Sequence, residues 1–258
     1  MNFEGCRAYE IGNGEKGILL LHGFTGTPKD MRYIAEHLAE KGFAVSVPLL
    51  PGHASDPEDL KKIGWEEWIK TAEVSWESLV KKCPQSGIAG LSMGALLALH
   101  IAAHWRNVKA VACLATPFVL DGWTRRILSA ILPHLPWRNF YYTKKGGSDV
   151  RDEQAKAEFP SYTRIPFAGV LNFMALVDHV RTDLPKVTAP LLLVHSLNDH
   201  TAPVKNVKIV EKYISSPSVK KVILKDSYHV LTIDVNREIV TQEIGDFFRH
   251  HIGRAHNA

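Results

Sequence analysis

The stretch GLSMG, residues 90–94, places Ser92 between two glycines, each two positions away from it. Glycine destabilises the interior of helices and strands, so this symmetric pair predicts a backbone bend that larger side chains would obstruct. A short apolar run, GIAGL (87–91), leads into the bend, and the strongly apolar ALLALHIAAHW (95–105) follows it. These patterns predict a strand, a tight turn and a helix, an arrangement that lifts the Ser92 hydroxyl above the end of a sheet.

Short apolar runs alternate with longer helical patterns on both sides of this turn. The alternation favours an α/β fold in which helices cover both faces of a mostly parallel central sheet. Strands are predicted at residues 17–23, 42–50, 87–91, 108–115, 189–196 and 219–225. Helices are predicted at residues 29–41, 65–81, 95–105 and 236–251.

One long interval interrupts this alternation. Residues 116–190 separate two predicted strands, whereas a single crossover connection needs far fewer residues. The interval shows no linker-like change in composition. We therefore predict one domain over residues 1–258, with a largely helical cap inserted at about 117–185.

Composition and charge exclude several classes of protein. The chain is 45% hydrophobic and 22% charged, which is typical of a soluble globular protein. Its net charge is +4, and its basic residues are scattered as short pairs such as Lys61-Lys62 and Lys220-Lys221. We therefore expect a solvated surface and no nucleic-acid partner. No apolar run is long enough for an integral membrane segment, and the N-terminus lacks a signal-peptide pattern. The expected location is the cytoplasm.

The histidines and cysteines do not form a recognised metal-binding motif. His100 and His104 share one side of the helix predicted at 95–105, but no glutamate between them completes the zinc-protease motif H-E-x-x-H. Cys6, Cys83 and Cys113 are too widely spaced for a C-x-x-C site or a disulfide framework. We therefore expect neither a metal nor a cofactor.

A serine hydroxyl is a weak nucleophile and requires a base, which in turn requires an acid to orient it. In folds with this strand–turn–helix motif the partners follow in the order serine, acid, histidine. Asp199 follows the predicted strand APLLLVHS (189–196), and His229 follows VKKVILK (219–225). Because catalytic groups collect at the carboxyl ends of parallel strands, we predict Ser92, Asp199 and His229 as a catalytic triad.

Other acids and histidines compete for these roles. Asp226, Asp183 and Asp178 are alternative acids, but only Asp199 directly follows a buried strand in the right interval. His195 and His200 flank Asp199 and are expected to fill the core or a pocket wall.

The reaction also requires backbone donors for the developing oxyanion. The glycine-bearing segment LLLHGFTGTP (19–28) exposes backbone amides after a strand, with Phe24 N–H as the predicted donor. The N–H of Met93, at the start of the helix after Ser92, is predicted to be the second donor.

Together these segments resemble the α/β-hydrolase superfamily, in particular its bacterial carboxylesterase and monoacylglycerol lipase group. The similar blocks are HGFTGTP (22–28), LLPGHASDPEDL (49–60), WEEWI (65–69), GLSMG (90–94), LNDHTAPV (197–204) and SYHVLTID (227–234). The resemblance implies the same triad and oxyanion donors, and a small helical cap that admits acyl chains. Two positions, Ala54 and Ala95, carry alanine where related sequences often carry glycine, so substrate preference is not transferred in detail.

The predicted reaction is hydrolysis of a small-molecule carboxylic ester, with a short- to medium-chain acyl group or a monoacylglycerol as substrate, through an acyl-enzyme on Ser92. Alternatives are a thioesterase or a carbon–carbon bond hydrolase with the same triad, or a non-catalytic small-molecule receptor. Apolar residues of the cap are expected to line the acyl pocket or to pack onto the core. They are Trp123, Ile127, Leu128, Ile131, Leu132 and Leu135.

Overall fold

The computed structural model describes residues 3–120, 140–144 and 146–252. Its strands are β1 (Tyr9–Ile11), β2 (Lys16–Leu21), β3 (Phe43–Val47), β4 (Gln85–Leu91), β5 (Val108–Leu114), β6 (Tyr141–Thr143), β7 (Arg164–Pro166), β8 (Leu191–Ser196) and β9 (Val219–Leu224). Its helices are α1 (Arg32–Glu40), α2 (Trp65–Lys82), α3 (Met93–His104), α4 (Glu153–Glu158), α5 (Phe167–Asp183), α6 (Lys205–Tyr213) and α7 (Arg237–Ile252).

Within these residues, seven strands form the central sheet in the order β1-β3-β2-β4-β5-β8-β9. The edge strand β1 is antiparallel to β3, and the other neighbouring strands of this sheet are parallel. Strands β6 and β7 form a separate antiparallel ribbon. The predicted α/β class with a mostly parallel sheet is confirmed.

Helices cover both faces of the sheet, and β2 shows why. Its side chains alternate between two cores, because successive residues of a strand point to opposite faces. Leu19 and Leu21 pack in the core that includes residues of α2, α3 and α5. Ile18 and Leu20 pack in the opposite core, with residues of α1 and α7. Apolar residues on both faces explain why the strand reads as one continuous apolar run.

The long interval predicted to carry a cap connects β5 to β8. These two strands are neighbours in the sheet, with Cys113 of β5 beside Leu193 of β8. Its described part contains the β6–β7 ribbon, α4 and α5. The apolar cap residues predicted to line a pocket, between Trp123 and Leu135, lie outside the described residues. No helix among the described residues is long and apolar enough to cross a membrane.

The sequence patterns missed some short elements. Strand β1 has three residues at the sheet edge, and the ribbon strands β6 and β7 have three residues each. Such lengths are too short to display a period. Helix α6 has nine residues and was also not predicted. The helix expected at 29–41 begins as a 3-10 turn, Pro28–Met31, and continues as α1.

Candidate active site

Ser92 lies in a strained turn between β4 and α3. Its backbone has φ 55° and ψ −112°, in a region that costs a non-glycine residue about 1–3 kcal/mol. The turn is held by hydrogen bonds from the Ser92 N–H to the carbonyl of Leu114 (2.8 Å) and from the Ala95 N–H to the carbonyl of Ser92 (2.9 Å). The strand, turn and helix predicted from GLSMG are therefore present, with the hydroxyl at the carboxyl end of β4.

Close backbone approach explains the two glycines that flank Ser92. A Cβ atom on Gly90 would lie 2.0 Å from the carbonyl oxygen of Gly94. A Cβ atom on Gly94 would lie 2.0 Å from the carbonyl oxygen of Leu21, on the neighbouring strand β2. Both distances are far below van der Waals contact, so neither position accepts a side chain without displacing backbone.

The three residues predicted as a triad lie in one hydrogen-bonded line. His229 Nε2 lies 2.9 Å from Ser92 Oγ, and His229 Nδ1 lies 2.8 Å from Asp199 Oδ2. A neutral imidazole protonated on Nδ1 donates to Asp199 and leaves Nε2 as the acceptor for the Ser92 hydroxyl. The other Asp199 oxygen accepts the backbone N–H groups of Thr201 (2.9 Å) and Ala202 (2.7 Å), which fix the carboxylate.

Burial and charge shift the pKa values of Asp199 and His229 in opposite directions. Burial raises the pKa of Asp199, but the charge of His229 and hydrogen bonds from His195, His229 and the Ala202 N–H outweigh it, so the pKa lies well below its usual range. Burial lowers the pKa of His229, but the Asp199 carboxylate more than compensates, so the net shift is upward. Asp199 is therefore ionised near neutral pH and stabilises a proton on His229.

Asp149 joins the loops that carry Asp199 and His229. Its backbone carbonyl accepts the N–H groups of His229 (3.0 Å) and Val230 (3.2 Å). Its carboxylate accepts the His200 N–H and the Thr201 hydroxyl, each at 3.0 Å, in the loop after β8. Asp149 was not singled out from the sequence, because it lies in the polar part of the predicted cap.

Asp234 is a second positioning residue that the sequence reasoning missed. Its buried carboxylate accepts the backbone N–H groups of Arg151 (3.1 Å), Asp152 (2.9 Å), Tyr228 (2.7 Å) and Val235 (2.8 Å). Tyr228 immediately precedes His229, so this carboxylate fixes the start of the histidine loop against the 151–152 segment.

The alternative acids lie elsewhere. Asp226 is exposed and pairs with Arg151 Nη1 at 3.1 Å. Asp183 is buried against His100 on the far end of α3, and Asp178 is exposed. Within the described part of the chain, His229 is hydrogen-bonded to Asp199 and not to any of these three carboxylates.

The two alternative histidines have other partners. His195 is buried at the end of β8, where its Nε2 lies 2.6 Å from the carbonyl oxygen of Ala202 and 3.4 Å from Asp199 Oδ2. His200 has a side chain that is 64% exposed, with its Nδ1 2.9 Å from Asp149 Oδ1. His195 therefore lies against the same Asp199 oxygen that faces His229.

The two predicted oxyanion donors belong to residues that follow β4 and β2. Met93 is the first residue of α3, and the first N–H groups of a helix have no intrahelical acceptor and lie at its positive end. Phe24 follows β2 in a turn and lines the same cavity as Ser92. The use of these two N–H groups as an oxyanion hole remains a prediction.

The cavity beside Ser92 and His229 has a volume of about 590 Å³. One part of its wall is apolar and is formed mainly by α5 and the residues before it. Other parts carry charged groups. The apolar lining includes Phe24, Ile165, Phe167, Val170, Phe173 and Met174, and the charged lining includes Asp30, Lys144, Asp149, Glu153 and Lys156.

Lys144 brings an amine into this cavity. Its Nζ donates to the hydroxyl of Thr25 at 2.8 Å and lies 3.3 Å from the hydroxyl of Ser161. Burial lowers the pKa of Lys144 to about 8, although the neighbouring carboxylates of Asp30 and Asp149 oppose the shift. Burial also raises the pKa of Asp30 to about 7.

Comparison with known proteins identifies the class to which this fold and site belong. The family model described as serine aminopeptidase, S33, a family of α/β hydrolases, matches residues 13–236, and the chain belongs to this family. A thermostable monoacylglycerol lipase from Bacillus sp. (strain H-257) is 31% identical over 253 residues, which cover 96% of each chain. The carboxylesterase of Bacillus subtilis (strain 168) is 26% identical and covers 93% of this chain and 95% of the relative.

A similar solved structure comes from work on LipS and LipT, two metagenome-derived lipolytic enzymes. It superimposes with a TM-score of 0.87 at 26% identity, and the match covers 96% of this chain and 98% of the other. The predicted family, the α/β-hydrolase fold and the class of enzyme, an ester-cleaving serine hydrolase, are confirmed. The roles of individual residues remain predictions.

Proposed function

We propose that this protein hydrolyses carboxylic esters with an apolar acyl chain, monoacylglycerols among them, and that Ser92 is the nucleophile. The observation that carries the proposal is the line of hydrogen bonds from Ser92 through His229 to Asp199 at the wall of a cavity. A serine is activated when a base accepts its proton and an acid stabilises the resulting imidazolium.

In the acylation step, Ser92 Oγ attacks the ester carbonyl carbon while its proton moves to His229 Nε2. The carbonyl oxygen becomes an oxyanion that accepts the backbone N–H groups of Phe24 and Met93. Each such donor contributes roughly 2.7–4 kcal/mol to transition-state stabilisation in a well-studied protease. Asp199 stabilises the imidazolium during this step, which agrees with the raised pKa of His229.

In the steps that follow, the tetrahedral intermediate collapses and the alcohol leaves with the proton from His229. This leaves the acyl group bonded to Ser92. Water then gives a proton to His229 Nε2 and attacks the acyl carbon. The second tetrahedral intermediate releases the carboxylic acid, and Ser92 regains its proton from His229.

The cavity supports an ester with one apolar and one polar part. The apolar wall around Val170 and Phe173 suits an acyl chain, since it removes hydrocarbon from water. Charged groups such as Lys144 and Asp149 suit the hydroxyl groups of a polyol alcohol. Relatives named monoacylglycerol lipase and carboxylesterase support an ester as the substrate.

A panel of substrates tests this proposal. Purified protein is assayed with chromogenic esters of increasing acyl length, with monoacylglycerols, with matched thioesters and with amino-acid anilides, and Ser92→Ala serves as the control. We expect turnover of esters and monoacylglycerols that is lost in the variant. Absence of ester turnover, or a clear preference for anilides or thioesters, would overturn the proposed substrate class.

A further inference from the structure

A second group of titratable side chains lies where the C-terminal ends of α3 and α5 meet, away from the catalytic residues. His100 and His104 are one helical turn apart on α3, and His179 and Asp183 are one turn apart on α5. We call these four residues the α3–α5 histidine cluster. Since a helix rises 1.5 Å per residue, His100 lies about 12 Å along α3 from Ser92.

The cluster combines a buried acid with solvent access. Asp183 is 2% exposed, whereas the side chains of His104 and His179 are 39% and 38% exposed. His104 ends α3 and Asp183 ends α5, so the negative ends of two helix dipoles converge on this point. An ion from solution could therefore reach the buried carboxylate past the two exposed imidazoles, and the local field favours a cation.

Three of the four side chains place their donor atoms close together, since those of His100, His104 and Asp183 all lie within 4.8 Å of one another. Asp183 Oδ2 lies 2.8 Å from His100 Nδ1 and 3.9 Å from His179 Nε2, and Asp183 Oδ1 lies 3.0 Å from His104 Nε2. Zinc bonds of about 2.0–2.1 Å in tetrahedral geometry separate the donors by about 3.3 Å. The donor atoms of His100, His104 and Asp183 are up to 4.8 Å apart, and His179 Nε2 is 3.9 Å from Asp183 Oδ2, so the side chains would rotate inward on binding one ion.

The two carboxylates that face the His100 ring provide a second observation. Its Nδ1 faces the Asp183 carboxylate at 2.8 Å, and its Nε2 faces the Glu73 carboxylate at 3.4 Å. A neutral imidazole has one N–H group and cannot donate to both carboxylates.

A metal ion at Nδ1 would remove this conflict. The Nδ1 lone pair would bind the ion, and the Nε2–H would donate to Glu73. Ligating histidines almost always donate their second ring nitrogen to a carboxylate, a carbonyl or water, and this contact orients the ring. His100 therefore already has the surroundings of a metal ligand.

Lys186 is the remaining charged group at the cluster. Its Nζ lies 3.0 Å from Asp183 Oδ1, and its side chain is 54% exposed. A long, exposed ammonium group can move into solvent when another cation binds, so it does not block the site. In its present position it supplies positive charge to the buried carboxylate.

We propose that His100, His104, His179 and Asp183 bind one divalent transition-metal ion, with Zn²⁺ the best match. Three imidazoles and one carboxylate suit Zn²⁺, Co²⁺ or Ni²⁺ and not Mg²⁺ or Ca²⁺, which prefer oxygen ligands. Four protein ligands define a structural site. The ion would fasten α5 to α3, and α5 also carries Val170 and Phe173 of the cavity wall.

The test is metal binding by the chelator-treated, dialysed full-length protein. Titration calorimetry with Zn²⁺, and the visible absorption of Co²⁺, report stoichiometry and geometry, and thermal unfolding reports linkage between binding and stability. We expect about one ion per chain, a tetrahedral Co²⁺ spectrum and a rise in Tm with Zn²⁺ but not with Mg²⁺.

Variants at exposed ligands separate metal binding from folding. His104→Ala and His179→Ala should each weaken Zn²⁺ binding at least about tenfold and reduce the Tm shift, while circular dichroism of the metal-free protein stays unchanged. Glu73→Gln should weaken binding about 10–100-fold, as other outer-shell changes do. His250→Ala, which alters the exposed His250 beside His251, is the matched control and should leave binding intact.

Three results would overturn the proposal. They are no stoichiometric binding, an octahedral Co²⁺ spectrum, and binding that survives His104→Ala but is lost with His250→Ala. The first and third would mean that the cluster is an ion-pair network of Asp183 with the histidines and Lys186, and the second that the ion is not held by four protein ligands.

Discussion

His229 Nε2 lies 2.9 Å from Ser92 Oγ, although the two residues are 137 positions apart in the chain. Ser92 follows β4, Asp199 follows β8 and His229 follows β9, within the sheet order β4-β5-β8-β9. Because these strands are parallel, their carboxyl ends share one edge of the sheet, and the loops that follow them meet there. The geometry of the site is thus a consequence of the strand order.

The identity of the acid can be tested by comparing two isosteric substitutions. Asp199→Asn should lower kcat about 10⁴-fold, because the amide neither stabilises the imidazolium nor selects the required tautomer. Asp226→Asn should leave kcat within about twofold, because that side chain is 65% exposed and pairs with Arg151. Steady-state kinetics on one ester measures both. A larger loss with Asp226→Asn would mean that Asp199 is not the acid.

The pH dependence should report the raised pKa of His229. The base must be neutral to accept the Ser92 proton, and an unperturbed histidine titrates near about 6.5. Since the folded environment raises the pKa of His229, the inactive imidazolium persists to higher pH. The acid limb of kcat/KM for a neutral ester should therefore have its midpoint above about 6.5, and below it rates should fall about tenfold per pH unit.

The control for this profile is the residual activity of Asp199→Asn. Without the Asp199 carboxylate, the effect of burial, which lowers the pKa of His229, is no longer compensated. The acid limb of kcat/KM should therefore move to lower pH. A limb that requires two protons, or activity that rises from about pH 7 to about pH 5, would point to a carboxylate base and remove His229 from the mechanism.

Local patterns predicted six of the seven strands of the central sheet and the loops that carry Ser92, Asp199 and His229, but not the residues that position these loops. Buried strands such as β2 read as continuous apolar runs, and Ser92, Asp199 and His229 each directly follow a strand. Asp149 and Asp234 could not be found in this way. Asp149 contacts Thr201, 52 positions away, and Asp234 contacts Arg151, 83 positions away, so neither contact leaves a periodic signal.

The α3–α5 histidine cluster could also be predicted only in part from local sequence patterns. The four-residue spacing of His100 and His104 places both on one side of α3, and this much follows from sequence. Asp183 lies 83 positions from His100. Only the packing of α5 against α3 brings this acid to the histidine pair, and no local period predicts which helices are neighbours.

The acyl-chain wall on α5 should set chain-length preference. Val170→Trp adds bulk where the apolar lining faces the cavity, so kcat/KM for long acyl esters should fall at least about tenfold relative to the shortest ester. Ala175→Leu, at an exposed position of the same helix, is the control and should leave the profile unchanged. Assays with a series of acyl lengths measure the ratio. Equal loss at all lengths would mean that Val170 serves only the packing of the core.

Asp234 should contribute both stability and activity. In Asp234→Asn, the amide nitrogen would face backbone N–H groups that now donate to a carboxylate, so buried donors would be left unpaired. We expect the free energy of unfolding to fall by about 2–3 kcal/mol. Activity should also fall, because the histidine loop loses its anchor at Tyr228. Urea unfolding compared with exposed Asp226→Asn is the measurement, and a difference below about 0.5 kcal/mol would contradict this role.

Covalent labelling of Ser92 tests the central claim most directly. The purified protein is treated with a fluorophosphonate, and intact-mass and peptide mass spectrometry locate the adduct. We predict one adduct per chain, on Ser92, and no adduct in a folded Ser92→Ala variant that has also lost ester turnover. An adduct on another residue, or substantial turnover by Ser92→Ala, would contradict the assignment of Ser92 as the nucleophile.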